Sequence, residues 1–181
     1  MTRMKLVSLN DIKQTKIDDA GKDALCTALC NLQMAAAALG LKPDLSQIDA
    51  WIDECVKVGA LRSKDKKNSD GFVLSHEKMA EVVGLKGVKK VYKKFDKAEI
   101  INLLQWGRAV ELRDEGKHSL LAVGWSADAD GKAFADCLDP WPYSNDVRLD
   151  LQRAMTQNVK AGVLVDSRSI EYYGIYEEVK K

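Results

Sequence analysis

The chain has 181 residues, the size of one domain, and it is long enough to bury roughly 70% of its unfolded surface without a disulfide or a metal for support. Hydrophobic residues make up 46% and charged residues 30%, which is typical of a globular protein. A net charge of +1 argues against a mainly electrostatic partner such as DNA, and no apolar run approaches the ~20 residues of a membrane span.

The N-terminal stretch MTRMKLVSLNDIKQTKIDD has no apolar core of the kind that a signal peptide carries. We therefore expect synthesis in the cytoplasm, and export by a secretion system that needs no signal peptide stays open. In a reducing compartment the cysteines are expected to be free thiols rather than a disulfide framework. They are Cys26, Cys30, Cys55 and Cys137.

A short strand is predicted at Lys5–Ser8 and the first helix at Ala24–Leu39. Asp23 is a good N-cap residue, and Gly40 is a natural helix terminator. Apolar residues between them recur at spacings of three and four, which predicts one core-facing stripe. The stripe consists of Leu25, Leu29, Leu32, Ala36 and Leu39.

Two further helices follow. The second is predicted to begin at a capping Ser46 and to end at Gly59. Its apolar face consists of Ile48, Trp51, Ile52, Cys55 and Val56. Arg62–Gly71 is a charged, turn-rich loop, and a short helix is predicted at Ser75–Val83, ending at Gly84.

The periodicity then changes to that of strands. Strands are predicted at Val88–Phe95, Ala109–Leu112, His118–Trp125 and Ala133–Leu138, with a helix at Lys97–Trp106. Asp130-Gly131 is a hairpin signal. A helical turn near Leu149–Thr156 and strands near Val163–Asp166 and Glu171–Tyr176 complete the chain.

Helices that precede antiparallel strands predict an α+β fold of two packed layers. We expect one domain over residues 1–181, with a helical part at about 1–85 and a β-sheet part at about 86–181.

Cys26 is the better candidate nucleophile of the two thiols in the first helix. A reactive cysteine needs a lowered thiol pKa, a base within reach and a group that orients the base. Cys26 falls in the first helical turn, where unpaired N–H groups and the helix dipole favour a thiolate. Cys30 lies one turn deeper, where that effect has largely decayed.

His118 is the candidate base, since it opens the apolar strand HSLLAVGW. Asp139 closes the following strand, AFADCLD. The start of one hairpin strand and the end of the next are neighbours, so we expect Asp139 to reach His118 and fix its tautomer. His76 has no such neighbour and is interpreted as a solvated or capping residue.

The order of these motifs resembles the papain-like cysteine peptidases, most closely the bacteriocin-processing (double-glycine leader) peptidase domains. The matching motifs are Cys26-Thr-Ala-Leu-Cys30 followed by Met34 and Gly40, His118-SLLAV-Gly124-Trp125, and Asp139-Pro140. The resemblance spans roughly Asp23 to Tyr143. It implies a papain-like fold in which Cys26 is the nucleophile, His118 the general base and Asp139 the orienting residue. No cofactor and no metal are expected.

The chain departs from the family pattern beside the nucleophile. Thr27 replaces the glycine that follows it, and Ala20 replaces a glutamine that helps to form the oxyanion hole. Gln14, further upstream, is the candidate substitute. Trp141 and Tyr143 are candidates for a wall of the substrate cleft, although a packing role fits them equally well.

Three other interpretations of these residues are weaker. Cys26, Cys30 and Cys137 with His118 would make a zinc site, but they lack the usual spacing. DADG resembles the start of a calcium loop, but a hairpin turn is favoured. LKGVKKVYKKFDK combines lysines with aromatic residues, as nucleic-acid-binding segments do. A lysine-protected edge strand with Val88, Val91 and Phe95 facing inward is favoured instead.

The resemblance implies hydrolysis of a peptide or other amide bond, in a bacterial toxin effector or a maturation peptidase. It also implies a protein or peptide substrate and an inhibitor or immunity protein as partners, and neither nucleic acid nor membrane is expected. Two alternatives stay open. One is a catalytically silent papain-like module that binds a partner through the cleft, and the other is a cell-wall amidase or deamidase on the same fold.

Overall fold

The computed structural model describes residues 3–5, 7, 9–12, 25–62, 73–114, 118–140, 147–157 and 159–166. Within these ranges the helices are α1 (Leu25–Ala38), α2 (Leu45–Lys57), α3 (His76–Val83), α4 (Lys97–Gln105) and α5 (Leu151–Thr156). The strands are β1 (Arg3–Lys5), β2 (Val88–Lys93), β3 (Val110–Asp114), β4 (His118–Ala127), β5 (Ala133–Leu138), β6 (Val147–Asp150) and β7 (Lys160–Asp166).

The strands form one antiparallel sheet in the order β2-β7-β3-β4-β5-β6. β1 pairs with β4 at Gly124–Ser126, beyond the residues that pair with β3. β7 comes last of these strands in the chain, but in the sheet it lies between β2 and β3. The N-terminal helices pack against this sheet, so the α+β prediction is confirmed.

Helices cover both faces of the sheet, which corrects the predicted arrangement of two layers. α1, α2 and α3 form a core on one face with strand residues that include Leu121, Leu138 and Leu164. α4 and α5 form a second core on the opposite face, which includes Val163 of β7. Val163 and Leu164 point to opposite faces because successive side chains of a strand alternate. The prediction of two layers was wrong because α4 and α5 also have apolar faces, which are buried against the second face of the sheet.

α1 is buried around its whole circumference, not along one stripe. Each residue from Leu25 to Ala36 is buried, including the polar Thr27, Asn31 and Gln33. Leu39, predicted to belong to the stripe, is 39% exposed just after the helix. α2, α3 and the sheet all pack on α1 and enclose it. The residue pattern of α1 alone does not show that these elements surround it.

Several boundaries follow local signals. α3 ends at Gly84, which has a φ of 111°, as predicted, and Ser75 is its N-cap. α2 starts one residue before Ser46, and its cap is Asp44, whose Oδ1 accepts a hydrogen bond from Gln47 N at 2.8 Å. The short strand β6 was not predicted. Asp23, the Ser63–Gly71 part of the predicted loop and the strand at Glu171–Tyr176 lie outside the described residues.

Candidate active site

Cys26 is the second residue of α1 and is 4% exposed. The prediction places its backbone N–H in the first helical turn, where N–H groups have no partner within the helix and the positive end of the helix dipole favours a thiolate. Asp23, the predicted cap of this helix, lies outside the described residues, so that position of Cys26 stays a prediction.

His118 and Asp139 meet where the β4–β5 hairpin opens. His118 is the first residue of β4, and Asp139 directly follows β5. Their side chains are joined by a contact of 2.7 Å between His118 Nε2 and Asp139 Oδ1. The imidazole is 30% exposed and the carboxylate 9%. This is the contact that the hairpin predicted.

The turn at the other end of the hairpin is held by Asp128. Its Oδ1 accepts hydrogen bonds from the backbone N–H groups of Asp130 and Lys132 at 3.1 and 2.9 Å. Gly131 adopts a φ of 77°, which favours glycine. The DADG segment is therefore a hairpin turn, as favoured from the sequence.

The pKa of His118 is raised from 6.5 to about 9. The main cause is a side-chain hydrogen bond with Cys26, and burial opposes it, while the hydrogen bond and the charge of Asp139 reinforce it. Since Nε2 faces Asp139, Nδ1 is the ring nitrogen left to face the thiol. A pKa of about 9 favours the protonated ring at neutral pH, and a protonated ring has an N–H at each nitrogen. Cys26, His118 and Asp139 therefore converge.

Cys30 and Cys55 lie in environments that hold their thiols protonated. Burial, followed by the charge of Glu111, raises the pKa of Cys30 well above its usual value. Burial raises the pKa of Cys55 to about 12, with a smaller effect from Glu54. Neither thiol is suited to act as a nucleophile at neutral pH, because the thiolate is the reactive form.

A buried polar network, which was not predicted, lies beneath the candidate site. Lys90 Nζ is 2.7 Å from Glu111 Oε2, and their side chains are 1% and 0% exposed. Glu111 also accepts hydrogen bonds from Tyr92 and Ser119. Ser119 Oγ lies 3.1 Å from Thr27 Oγ1. Lys90 was expected among the lysines that protect an edge strand. β2 is an edge strand of the described order, but Lys90 neutralises a buried carboxylate instead.

His76 is also buried more deeply than predicted. It is the first residue of α3, and its ring packs edge-on against Tyr92 with the centroids 6.0 Å apart. Nε2 of His76 lies 3.5 Å from the Tyr92 hydroxyl. Burial, followed by the charge of Lys90, lowers the pKa of His76 to about 4. The interpretation of His76 as a solvated or capping residue is therefore corrected, since the ring is half-buried against Tyr92 and the cap is Ser75.

The described residues contain no group of three or more His, Cys, Asp or Glu side chains arranged to hold a metal ion. Cys137 belongs to the core on the opposite face of the sheet from Cys30, so the zinc interpretation is not supported. Three predicted site residues, Gln14, Trp141 and Tyr143, lie outside the described part of the chain.

None of the described helices is long and apolar enough to cross a membrane. No family model, no curated protein and no solved structure matches this chain.

Proposed function

We propose that the chain is a cysteine hydrolase of papain-like fold that cleaves a peptide or other amide bond. The observation that carries the proposal is the convergence of Cys26, His118 and Asp139, which come from a helix N-terminus, a strand start and the end of the next strand. A nucleophile at the start of a buried helix, facing a base on an antiparallel sheet, is the arrangement that the papain-like resemblance implies.

In the proposed mechanism the Cys26 thiolate attacks the carbonyl carbon of the substrate. The His118 imidazolium gives a proton to the leaving amine, and a thioester remains on Cys26. Neutral His118 then takes a proton from water, which attacks the thioester and releases the acid. The backbone N–H of Cys26, in the first turn of α1, is a donor for the oxyanion that forms in both steps.

The low exposure of Cys26, at 4%, favours a second candidate function. In that case the cleft binds a protein or peptide partner without hydrolysing it, because a covered thiol does not reach a carbonyl carbon. The two candidates differ in the accessibility and the acidity of one thiol, and both properties are measurable without knowledge of the substrate.

Alkylation with iodoacetamide between pH 5 and pH 9, with the adduct mapped by peptide mass spectrometry, separates them. The hydrolase proposal expects selective alkylation of Cys26 below pH 7, because a thiolate–imidazolium pair is reactive there. Cys26→Ser removes the adduct, and His118→Ala slows its formation at pH 6. Cys30→Ala is the matched control, and it leaves the alkylation of Cys26 in place.

Two results contradict the hydrolase proposal. One is a Cys26 that reacts only near its ordinary pKa of ~8.5. The other is preferential alkylation of Cys30. The resemblance also supports a role as an effector or maturation peptidase with a separate inhibitor protein. A pull-down that compares the unmodified and the alkylated protein as bait tests that partner. Inhibitor binding is expected only with the unmodified Cys26.

A further inference from the structure

Two hydroxyl groups join the neighbours of Cys26 and His118. Thr27 follows Cys26, and Ser119 follows His118. Thr27 Oγ1 and Ser119 Oγ are 3.1 Å apart although their residues are separated by 92 positions. Thr27 is 9% exposed and Ser119 0%. The first turn of α1 is thus fastened to the start of β4 by a buried contact beside the candidate pair.

Glu111 sets the direction of this chain of hydrogen bonds. Ser119 Oγ donates its proton to Glu111 Oε1. A serine hydroxyl has one proton, so Thr27 must be the donor in the Thr27–Ser119 contact. Thr27 Oγ1 lies 4.0 Å from Cys26 Sγ and, with its own proton committed to Ser119, does not donate to the sulfur. An ionised Glu111 therefore determines how both hydroxyls are oriented.

The surroundings of Glu111 keep it ionised. Burial alone would raise the pKa of Glu111, but the Lys90 ammonium and hydrogen bonds from Lys90, Ser119 and Tyr92 hold it below its usual value. Burial raises the pKa of Tyr92, so the phenol stays protonated and donates to Glu111 Oε2 at 2.9 Å. Two further groups, Arg113 and His76, lie 3.5 Å from the Tyr92 hydroxyl at the outer end of the network.

Gly162 makes room for this network. Tyr92, Gly162 and Glu111 lie in one row across β2, β7 and β3. A Cβ at Gly162 would come within 2.8 Å of both Lys90 Cε and Tyr92 Cε1. The side chains of Tyr92 and Glu111 therefore meet above a strand residue that has no side chain. A buried ion pair is by itself weak evidence of stabilisation. The hydrogen bonds that connect the Lys90–Glu111 pair to the candidate site through Ser119 and Thr27 indicate a role beyond stability.

We infer that Glu111 is a positioning residue for the Cys26–His118 pair and acts through Ser119 and Thr27. The inference rests on the proposed function. Glu111 acts through these two hydroxyls rather than on the thiol or the imidazole itself. Its carboxylate holds two hydroxyls in one orientation, and these fix the separation of the helix turn and the strand start that carry the thiol and the imidazole.

Ser119→Ala and Thr27→Val are the principal test variants, because each breaks the link and leaves the Lys90–Glu111 ion pair intact. Iodoacetamide alkylation of Cys26 is followed against pH, and the His118 ring is titrated by NMR. In both variants we expect alkylation at pH 6 to slow about tenfold, because a Cys26 that is held less well against the His118 imidazolium loses thiolate stabilisation worth about one pKa unit. We expect the His118 pKa to fall from about 9 toward 6.5.

Three further variants separate positioning from general destabilisation. Thr27→Ser keeps the hydroxyl and should restore most of the rate lost in Thr27→Val. Ile48→Val creates a small gap in the core beside α2 and should lower stability without changing either profile. The double variant Lys90→Met/Glu111→Leu removes both buried charges and the acceptor of the Ser119 hydrogen bond, and it should behave like Ser119→Ala while remaining folded.

Unchanged alkylation and His118 titration in folded Ser119→Ala and Thr27→Val would overturn the inference. A loss in Ile48→Val as large as in Ser119→Ala would also overturn it. Failure of the proposed function gives a different result, because Cys26 of the unsubstituted protein is then alkylated by iodoacetamide only near pH 8.5. In that case the His118 titration still decides whether the network holds the imidazole against the thiol.

Discussion

His118 Nε2 lies 2.7 Å from Asp139 Oδ1, and this contact leaves the other ring nitrogen to face Cys26. The raised pKa, about 9, keeps the ring charged at neutral pH. We expect amide hydrolysis to decline above pH 9, since neutral His118 has no proton for the leaving amine. Alkylation by iodoacetamide needs only the thiolate and should not decline. Parallel pH profiles for the two reactions would contradict the assignment of His118 as the acid.

Replacement of Asp139 should weaken the acid–base step without unfolding the protein. In Asp139→Asn the ring loses a charged partner, so the pKa of His118 should fall and hydrolysis should slow by about 10²-fold or more. Asp136→Asn is the matched control, since Asp136 lies on β5 and bonds to Ser126 at 3.3 Å instead. NMR titration of His118 and initial rates compare the two variants. Equal effects of both substitutions would count against a special role for Asp139.

His76 should make stability depend on acid pH. Its pKa is lowered from 6.5 to about 4 in the folded protein, so between these values the unfolded chain binds more protons. Stability from the neutral ring is therefore complete above pH 6.5 and is lost as the pH falls through about 4. Urea midpoints between pH 7 and pH 4 should fall more steeply for the unsubstituted protein than for His76→Gln. Equal slopes would show that His76 titrates normally.

Gly162→Ala should destabilise the protein although alanine suits a strand better than glycine. The added Cβ meets Lys90 Cε and Tyr92 Cε1 at 2.8 Å and Glu111 Oε2 at 3.1 Å. Overpacking of this kind costs about 1–3 kcal/mol in the free energy of unfolding. Urea denaturation measures it, and Gly162→Val should cost more than Gly162→Ala. An alanine variant as stable as the unsubstituted protein would mean that the network tolerates the added methyl group.

Asp44, rather than Ser46, should carry the N-cap of α2. Asp44 Oδ1 accepts a hydrogen bond from Gln47 N at 2.8 Å, whereas Ser46 lies inside the helix. Asp44→Ala should lower the free energy of unfolding by ~1 kcal/mol, a usual cost for loss of a cap. Ser46→Ala is the matched control and should change it much less. A larger loss of stability in Ser46→Ala than in Asp44→Ala, measured by thermal or urea denaturation, would show that Ser46 is the cap.

The features that the sequence predicted are those decided by residues close in the chain. The ends of α3 follow from the capping of Ser75 and from the conformational freedom of Gly84. The contact of His118 with Asp139 follows from one hairpin, whose turn is marked by Asp130-Gly131. In both cases the geometry is set by a single turn and by the short elements beside it.

Tertiary structure decided the features that depend on strand order. Lys90 and Glu111 meet because β7, which comes last among the described strands, lies between β2 and β3. The sequence of β2 predicts a basic edge strand, and the sequence of β3 shows one acidic residue, Glu111. Neither pattern indicates that Lys90 and Glu111 form an ion pair. The burial of α1 on all sides has the same origin, because α2, α3 and the sheet enclose it only after assembly. The sequence by itself therefore determined the local positions of Cys26, His118 and Asp139, while long-range pairing decided what surrounds them.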